Sequence, residues 1–525
     1  MVTSYRDLTT LKPFQSGVQN KEDEAIGLTI VLHPDAARIG EVAKPFDIGS
    51  TATRELCRFE PKFSRPGEKS VDLNVAAVSR RPLVMKANVE GAVTLSNPRA
   101  VSSVVVEGEA LKESMEISAD RVKRGVVIEL GKYVALLLHR VNKKDEEPSG
   151  DDLGIRGESR CVQRLRKEIL DIANIDDTVL ISGETGVGKD LVARAIHAKS
   201  KRAGRAYLCI NMGALQSGME NAELFGIGKR AATEVDERKG YFASADGGTL
   251  FLDEIGTTKP ELQAVLLRAI ENKEIQRVGH GPLKVDVRLI AATDSDLTAA
   301  VEQGRFLKAL FHRLSRFHIR IAPLRERPDD IARLFFHFLR GELRKRGSDQ
   351  KLFKDAKEPG WLPASLMSML LRYAWKGNVR ELQNVAAALA LTNYNNEFFH
   401  VESNIVQLLG SDIVSADSAP EGETKSFRPS YPPTDDEVIQ AMNENDFNAT
   451  KASESLHISR DYLLKRISRI PSLRRPKDIT DREIIDSYKQ YNGDFMAMAK
   501  ALRISARGLK IQITNRGLLL DDRTD

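Results

Sequence analysis

Only three cysteines occur in 525 residues, Cys57, Cys161 and Cys209. They lie far apart, with neither a disulfide framework's pairing nor metal-ligand spacing, so reduced, structural thiols suited to the cytoplasm are expected. No apolar run approaches the ~20 residues that cross a bilayer, and the opening Met1-Val-Thr-Ser-Tyr-Arg-Asp7 lacks a signal-peptide core. Neither sign of charge dominates: 79 Lys and Arg stand against 74 Asp and Glu, a net +5. Where basic residues cluster therefore matters more than their total. What is present, 41% hydrophobic and 29% charged residues, is the mixture of a soluble globular protein, long enough for three or four domains.

The chain is organised around Ile181-Ser-Gly-Glu-Thr-Gly-Val-Gly-Lys-Asp190. An apolar strand run leads into glycines 183, 186 and 188, then Lys189 and a helical pattern. Such a turn curls backbone N–H groups inward at a helix N-terminus, where the dipole favours phosphate. This is the P-loop spacing G-x-x-x-x-G-K, with Asp190 where Ser or Thr would normally meet Mg²⁺. Gly183, Glu184, Thr185, Gly186, Val187, Gly188, Lys189 and Asp190 are thus the candidate nucleotide-binding residues. Downstream, Gly247-Gly-Thr-Leu-Phe-Leu-Asp-Glu-Ile255 reads as a buried strand ending in two carboxylates. Asp253 there suits a metal ion, and Glu254 suits orienting and deprotonating a water.

Residues 20–142 read as β-rich, with short apolar runs between turn residues and a closing pair of strands around Gly131-Lys132, the pattern of a small β-sandwich. Asp47-Ile-Gly-Ser50, Val78-Ser-Arg80 and Gly125-Val-Val-Ile-Glu-Leu-Gly131 resemble a forkhead-associated (FHA) domain, which binds phosphothreonine through loop-tip Arg and Ser. Ser50 and Pro82 stand where that family has arginine and histidine. Arg54, Ser79, Arg80 and Arg81 either grip a phosphate or are ordinary solvated residues. A charged linker is expected at 143–153.

Residues 154–330 alternate strand and helix patterns, as an α/β core with a parallel sheet does, and 331–406 complete the segment as a helical lid. Gly183 to Lys189, Glu223-Leu-Phe-Gly226, Gly247 to Gly256, Val285 to Thr293, Pro323-Leu-Arg-Glu-Arg-Pro328 and Trp375-Lys-Gly-Asn-Val-Arg-Glu-Leu382 occur in the order seen in the AAA+ ATPase domain of sigma-54-dependent transcription activators, which this segment closely resembles. The resemblance implies that ATP and Mg²⁺ are the ligands. It also implies that Asn211 restrains Glu254, that Thr293 and Asp294 sense the γ-phosphate, and that Arg380 of the lid touches nucleotide. The family has Asn in place of Asp294. It also supplies arginine from a neighbouring subunit of a ring: Arg313 matches one such position, while the other is Leu307, flanked by Arg305 and Lys308. After Glu223-Leu-Phe-Gly226 the family carries a Gly-Ala-Phe-Thr-Gly-Ala loop that contacts sigma-54. Here it reads Arg230-Ala-Ala-Thr-Glu-Val235, without the glycines or the aromatic.

A Ser-, Pro- and acid-rich linker is expected at 407–433. Beyond it, residues from Thr450 align with those from Met496 at a constant offset of 46. Each copy reads as a helix, a short helix, a turn and a Ser-capped final helix. Both resemble the Fis-type helix-turn-helix that ends most such activators, placed at 434–470 and 478–518, with the last helix suited to the major groove. Ser459, Arg460, Tyr462, Lys465 and Arg466 in the first unit, and Ser505, Arg507, Lys510, Gln512 and Arg516 in the second, are the candidate DNA contacts. A helical bundle with a solvated basic face is the alternative.

The expected protein is a cytoplasmic transcription regulator that combines a β-sandwich, an α/β P-loop ATPase with lid, and an all-α DNA-binding end. Its expected partners are DNA, RNA polymerase, a phosphorylated protein at the sandwich, and further copies of itself in a ring. Three functions compete. One is an ATP-driven activator of sigma-54 polymerase. The second is a regulator or repressor independent of sigma-54 that uses ATP as an assembly switch. The third is a remodelling machine whose C-terminal helices bind protein.

Overall fold

The computed structural model describes residues 24–48, 53–97, 103–142, 152–228, 238–278, 281–411, 435–456, 460–468, 470, 473, 478–491 and 493–516. The chain forms two compact units, residues 1–422 and 423–525.

In the first unit, β1 (Glu24–Leu32), β2 (Thr53–Leu56), β3 (Leu83–Ala87), β4 (Val93–Ser96), β5 (Val104–Val106), β6 (Ser114–Ile117), β7 (Val126–Leu130) and β8 (Ala135–Asn142) build two antiparallel sheets. The smaller has the order β6-β4-β3-β2; the larger runs β1-β8-β7-β5 at its centre. Its register places Leu28 opposite Leu138 and Ile128 opposite Leu136. Side chains alternate across a strand, and here both faces are apolar. Ile26, Leu28, Ile30, Ile128, Leu136 and Leu138 face the smaller sheet across one core. Leu32, Val127, Ala135 and Leu137 face the other way and join a second core made mostly of helices. This explains the unbroken apolar runs of β1, β7 and β8: a sheet covered on both sides needs no polar face.

The helices over that outer face belong to the lid: α4 (Pro328–Arg344), α5 (Ala364–Arg372), α6 (Asn378–Asn393) and α7 (Ser403–Ser411). Backbone hydrogen bonds reinforce the docking, with Ala364 N–H donating to Lys132 O at 2.8 Å and Lys354 N–H to Pro34 O at 3.1 Å. The Arg333 guanidinium reaches Gly40 O at 2.7 Å. The sandwich is therefore fused to the lid through side chains, whereas the sequence suggested a domain tethered by a linker. The second expected linker also begins late, because α7 continues to Ser411 with Leu409 fully buried. Cys57 alone of the three cysteines is buried; Cys161 and Cys209 are exposed, contrary to the expectation of structural thiols.

The P-loop core is a five-stranded parallel sheet. Its strands are β9 (Val179–Ser182), β10 (Tyr207–Asn211), β11 (Thr249–Asp253), β12 (Arg288–Thr293) and β13 (Phe317–Arg320), in the order β10-β11-β12-β9-β13. Helices α1 (Arg160–Ala173), α2 (Lys189–Ala198) and α3 (Lys308–Leu314) belong to this layer.

The second unit holds α8 (Asp435–Glu444), α9 (Ala449–Ser455), α10 (Arg460–Ile467), α11 (Asp481–Gln490), α12 (Phe495–Ala501) and α13 (Ala506–Asn515). The 46-residue offset is reproduced helix for helix, and each set of three closes over its own small core. Among the described residues no helix is long and apolar enough to cross a membrane.

One carboxylate works against the sandwich–lid docking. Glu129 of β7 is 7% exposed, its Oε1 has no hydrogen-bond partner, and it faces Ser368 and Arg372 of α5. Burial raises its pKa to about 7. A raised carboxyl favours folding while protonated, so this contribution is full below the unfolded value near 4.5 and is lost as pH rises through 7. Glu129→Gln should remove that dependence, melting like wild type at pH 5 and more stably at pH 8, by on the order of 2 kcal/mol, in calorimetric scans across that range.

Candidate nucleotide site

The P-loop forms where β9 ends in the middle of the parallel sheet. Gly186 and Gly188 take φ of +80° and +100°, values that side chains resist, and Gly188 opens α2. Lys189 Nζ is folded onto the loop's own carbonyls, 2.8 Å from Gly183 O and 3.2 Å from Glu184 O. Burial lowers its pKa against the opposing pull of Asp294, Asp253 and Glu254. Asp190 lies in the first turn of α2. The Val187 side chain packs in the core beside Ile181 and Ile321, so only its backbone faces the loop's concavity.

The carboxylate pair stands at the end of β11. Burial pushes the Asp253 carboxyl up, opposed by the Glu254 N–H, which donates to Asp253 Oδ1 at 3.0 Å, and by Lys189. Glu254 has φ +55°, ψ +41°, a left-handed conformation that is costly for a non-glycine residue and concentrates at functional sites. On the neighbouring strand Asn211 pairs in register with Asp253. Its Oδ1 accepts the Gly213 N–H at 2.8 Å, and Glu254 Oε2 crowds the same glycine. Thr293, 1% exposed at the end of β12, accepts the Ser295 N–H at 3.0 Å. Asp294 accepts a 2.7 Å hydrogen bond from Thr185, which lowers its pKa.

The lid closes directly onto the P-loop. Val379 N–H donates to Gly186 O at 3.1 Å and Arg380 N–H to the same oxygen at 3.4 Å. A Cβ on Gly186 would collide with Gly377 O. Asn378, fully buried with φ +51°, donates from Nδ2 to Glu184 Oε2 at 3.0 Å and Thr185 O at 3.1 Å, and accepts the Leu324 N–H at 2.8 Å. Arg325 holds Glu184 bidentately at 2.6 and 2.8 Å, drawing its pKa down to about 2. The Glu184 carboxylate thus serves the lid, and only the backbone at this position is free to serve phosphate. Sequence reasoning marked the motifs holding Arg325 and Asn378 without giving either residue this part. A cavity of about 250 Å³ opens at the same junction, lined by Val162, Leu165, Ile321, Ala322 and Arg327 among others. Arg327 is 4% exposed, and its Nε and Nη2 have no partner.

Arg313 is not gathered into this cluster. It lies on α3, and its carbonyl accepts the Thr178 hydroxyl, so it sits beyond the start of β9 while the P-loop follows its end. The five residue steps from Thr178 to Gly183 span roughly 16 Å. Its Nε is buried without a partner. Leu307 caps α3 with its side chain 39% exposed, and the Arg305 guanidinium is held by Gln303.

The other candidate residues are placed as follows. Arg54 and Ser79 are not brought together: Arg54 pairs with Met85, whereas Ser79 O accepts the Arg58 N–H. The Arg58 contact lies beyond the end of β2 at Leu56, four positions along the chain from Arg54. Arg54 and Arg80 are exposed, and Ser79 Oγ accepts the Arg81 N–H at 2.9 Å. Ser50, the Arg230 to Val235 loop and Ser459 lie outside the described residues, as do the side chains of Arg460, Tyr462, Lys465 and Arg507. Ser505 caps α13 through the Gly508 N–H at 3.2 Å. Lys510 is exposed, its ammonium 5.3 Å from the centre of the Phe495 ring. Two expected DNA contacts make ion pairs at the surface of their own units: Arg466 pairs with Asp435 at 2.9 Å, and Arg516 with Asp481 at 2.6 Å and Ile479 O at 2.7 Å.

Truncating Asn378 leaves Thr185 O and the Leu324 N–H without this partner, at about 1–3 kcal/mol each at most, and takes one of its hydrogen bonds from Glu184. The Arg325–Glu184 pair is about 40% exposed on both sides, and exposed pairs contribute little. Asn378→Ala should therefore lower the melting temperature and weaken binding of a fluorescent ATP analogue by roughly tenfold or more, with Arg325→Ala clearly milder in both assays.

Residues 155–320 match the sigma-54 interaction domain, and residues 325–403 match the AAA+ ATPase lid domain. The chain is 35% identical over 401 residues to the transcriptional regulatory protein ZraR of Escherichia coli K12, covering 74% of this chain and 87% of that protein. It is 36% identical over 356 residues to the nitric oxide reductase transcription regulator NorR1 of Cupriavidus necator, covering 64% and 68%. Brucella abortus NtrX in complex with ATP aligns at 27% identity and a TM-score of 0.42, over 61% of this chain and 69% of that one. With a P-loop ATPase core, its lid and these relatives in one chain, the protein belongs to the sigma-54-dependent family of transcription regulators.

Proposed function

We propose that the protein is a DNA-binding transcription regulator that binds and hydrolyses ATP between the subunits of a ring. The observation carrying this reading is a division of parts: the phosphate cradle and carboxylate pair converge at one end of β9, while Arg313 stands at the other. A residue so placed is useless to its own site and available to a neighbour's. Phosphoryl transfer rests on positioning and charge neutralisation. The P-loop N–H groups and Lys189 would hold the phosphates, releasing Lys189 from the carbonyls it now contacts. Glu254 would orient and deprotonate the attacking water, Thr293 and Asp294 would sense the γ-phosphate, and Arg380 would touch it from the lid. Arg313 of an adjacent subunit would supply the charge that stabilises the transition state.

Mg²⁺ is generally held by one or two carboxylates together with substrate phosphates, and Asp253, raised by burial and close to Lys189, is a fitting ligand. Bound there, the ion would neutralise charge developing on the phosphates.

At the N-terminus the sandwich reads as FHA-like, with Ser79 and Arg80 rather than Arg54 as the phosphopeptide contacts. The paired three-helix units read as helix-turn-helix modules, with α10 and α13 entering the major groove and Ser505 and Lys510 among the contacts. A second reading is favoured by the sequence Arg230 to Val235, which carries two charges and lacks the glycines and the aromatic of the family's loop: ATP then drives assembly on DNA without sigma-54.

ATP turnover measured against protein concentration tests the ring. Specific activity should rise steeply with concentration and fall by at least ~10³-fold in Glu254→Gln and Arg313→Ala. Tight nucleotide binding without turnover would leave the assembly switch. DNA affinity that ignores salt would exclude both readings, since phosphate contacts release counterions.

A further inference from the structure

The sandwich contains a cavity of about 270 Å³ between its two sheets. Leu56 and Leu83 of the smaller sheet and Val104 and Leu130 of the larger form its apolar walls. Asn97, directly after β4, also lines it. The residue is 7% exposed, and its Nδ2 is buried without a hydrogen-bond partner. Buried amide N–H groups are nearly always paired, because leaving one unpaired forfeits its hydration with nothing in return. The exception is best explained by a partner the cavity is shaped to admit.

We propose that this cavity binds a small, uncharged, mainly apolar molecule whose carbonyl-type oxygen accepts from Asn97, and that its occupancy is felt at the ATPase lid. An apolar cavity of about 150 Å³ is filled by benzene, so the room here suits a single ring with a short substituent. Charge is unwelcome: Arg81 is the one charged residue of the lining, and its side chain is exposed at the rim. A phosphate entering the apolar interior would be stripped of water without a buried counter-charge. Ser79 also lines this cavity, so the apolar occupant would be a neighbour of a phosphopeptide held at Ser79 and Arg80, and chemically distinct from it.

The path to the lid is short. Leu130 and Gly131 belong to the cavity wall. The next residue, Lys132, accepts the Ala364 N–H at the start of α5, and Tyr133 lies so close over Gly360 that a Cβ there would come within 3.0 Å of it. An occupant pressing on Leu130 and Gly131 thus acts on the turn that docks the lid. Helix α5 shares its core with α6, whose N-terminus grips the P-loop.

Ligand-observed NMR on the full chain would compare acetophenone with ethylbenzene, its near-isostere lacking the acceptor. Acetophenone should bind saturably and roughly tenfold more tightly, the scale of one buried hydrogen bond. Asn97→Leu should erase that preference, and Val104→Phe, which adds bulk from an inward-facing wall position of β5, should abolish both interactions. Failure of both probes to bind the wild type, or undiminished binding to a folded Val104→Phe protein, overturns the site. Hydrogen exchange tests the coupling without requiring catalysis: the Ala364 amide should exchange at least about threefold more slowly at saturating acetophenone. Unchanged exchange with the probe bound overturns the coupling, whether or not the protein hydrolyses ATP.

Discussion

A single buried amide, Asn378, ties together the parts on which nucleotide chemistry depends. Its two ends satisfy the start of the Leu324 segment on one side and the P-loop at Glu184 and Thr185 on the other. The backbone must turn through a left-handed conformation to present it, a geometry that asparagine tolerates better than most residues. Because α6 begins there, its first N–H groups are aimed at Gly186 O. Lid position and loop shape are consequently one variable: the loop cannot open around a phosphate without changing how α6 sits. This gives an AAA+ lid mechanical leverage over nucleotide in both directions.

The same lid is bound from its opposite side by the large sheet. Helices α4 and α5 use their buried faces to cover strands of the sandwich and α6 packs on α4, so a continuous path of packed side chains runs from the N-terminal domain to the P-loop. Glu129 is the one awkward element in that path, a carboxyl buried where hydrogen-bonding groups lack partners. Buried ionisable groups of this kind rarely improve stability.

Much of this was legible in the sequence. The P-loop glycines, the strand ending in Asp253-Glu254 and the 46-residue repeat follow from local rules, in which spacing alone sets conformation, and the structure reproduces each. The strands at Leu28 and at Gly125 to His139 were legible too. What their apolar runs meant was not, since a doubly buried strand reads alike whether its second cover is a helix of the same domain or of a lid some two hundred residues away. For the same reason the part played by the Glu184 side chain is not legible: its partners Arg325 and Asn378 are long-range. The ion pairs of Arg466 and Arg516 are similarly hidden, because each arginine meets an acid at the first helix of its own unit.

The double-sided sheet also constrains how this protein can change over evolutionary time. A sensory domain on a tether can be exchanged for another without disturbing the engine it controls. Here the outward faces of β1, β7 and β8 are themselves part of the lid's interior, so removing the sandwich would strip the cover from Ile331, Phe335 and Leu339 and leave an oily surface in water. Sandwich and lid must therefore be inherited together, and substitutions on either side of that seam are constrained by the other.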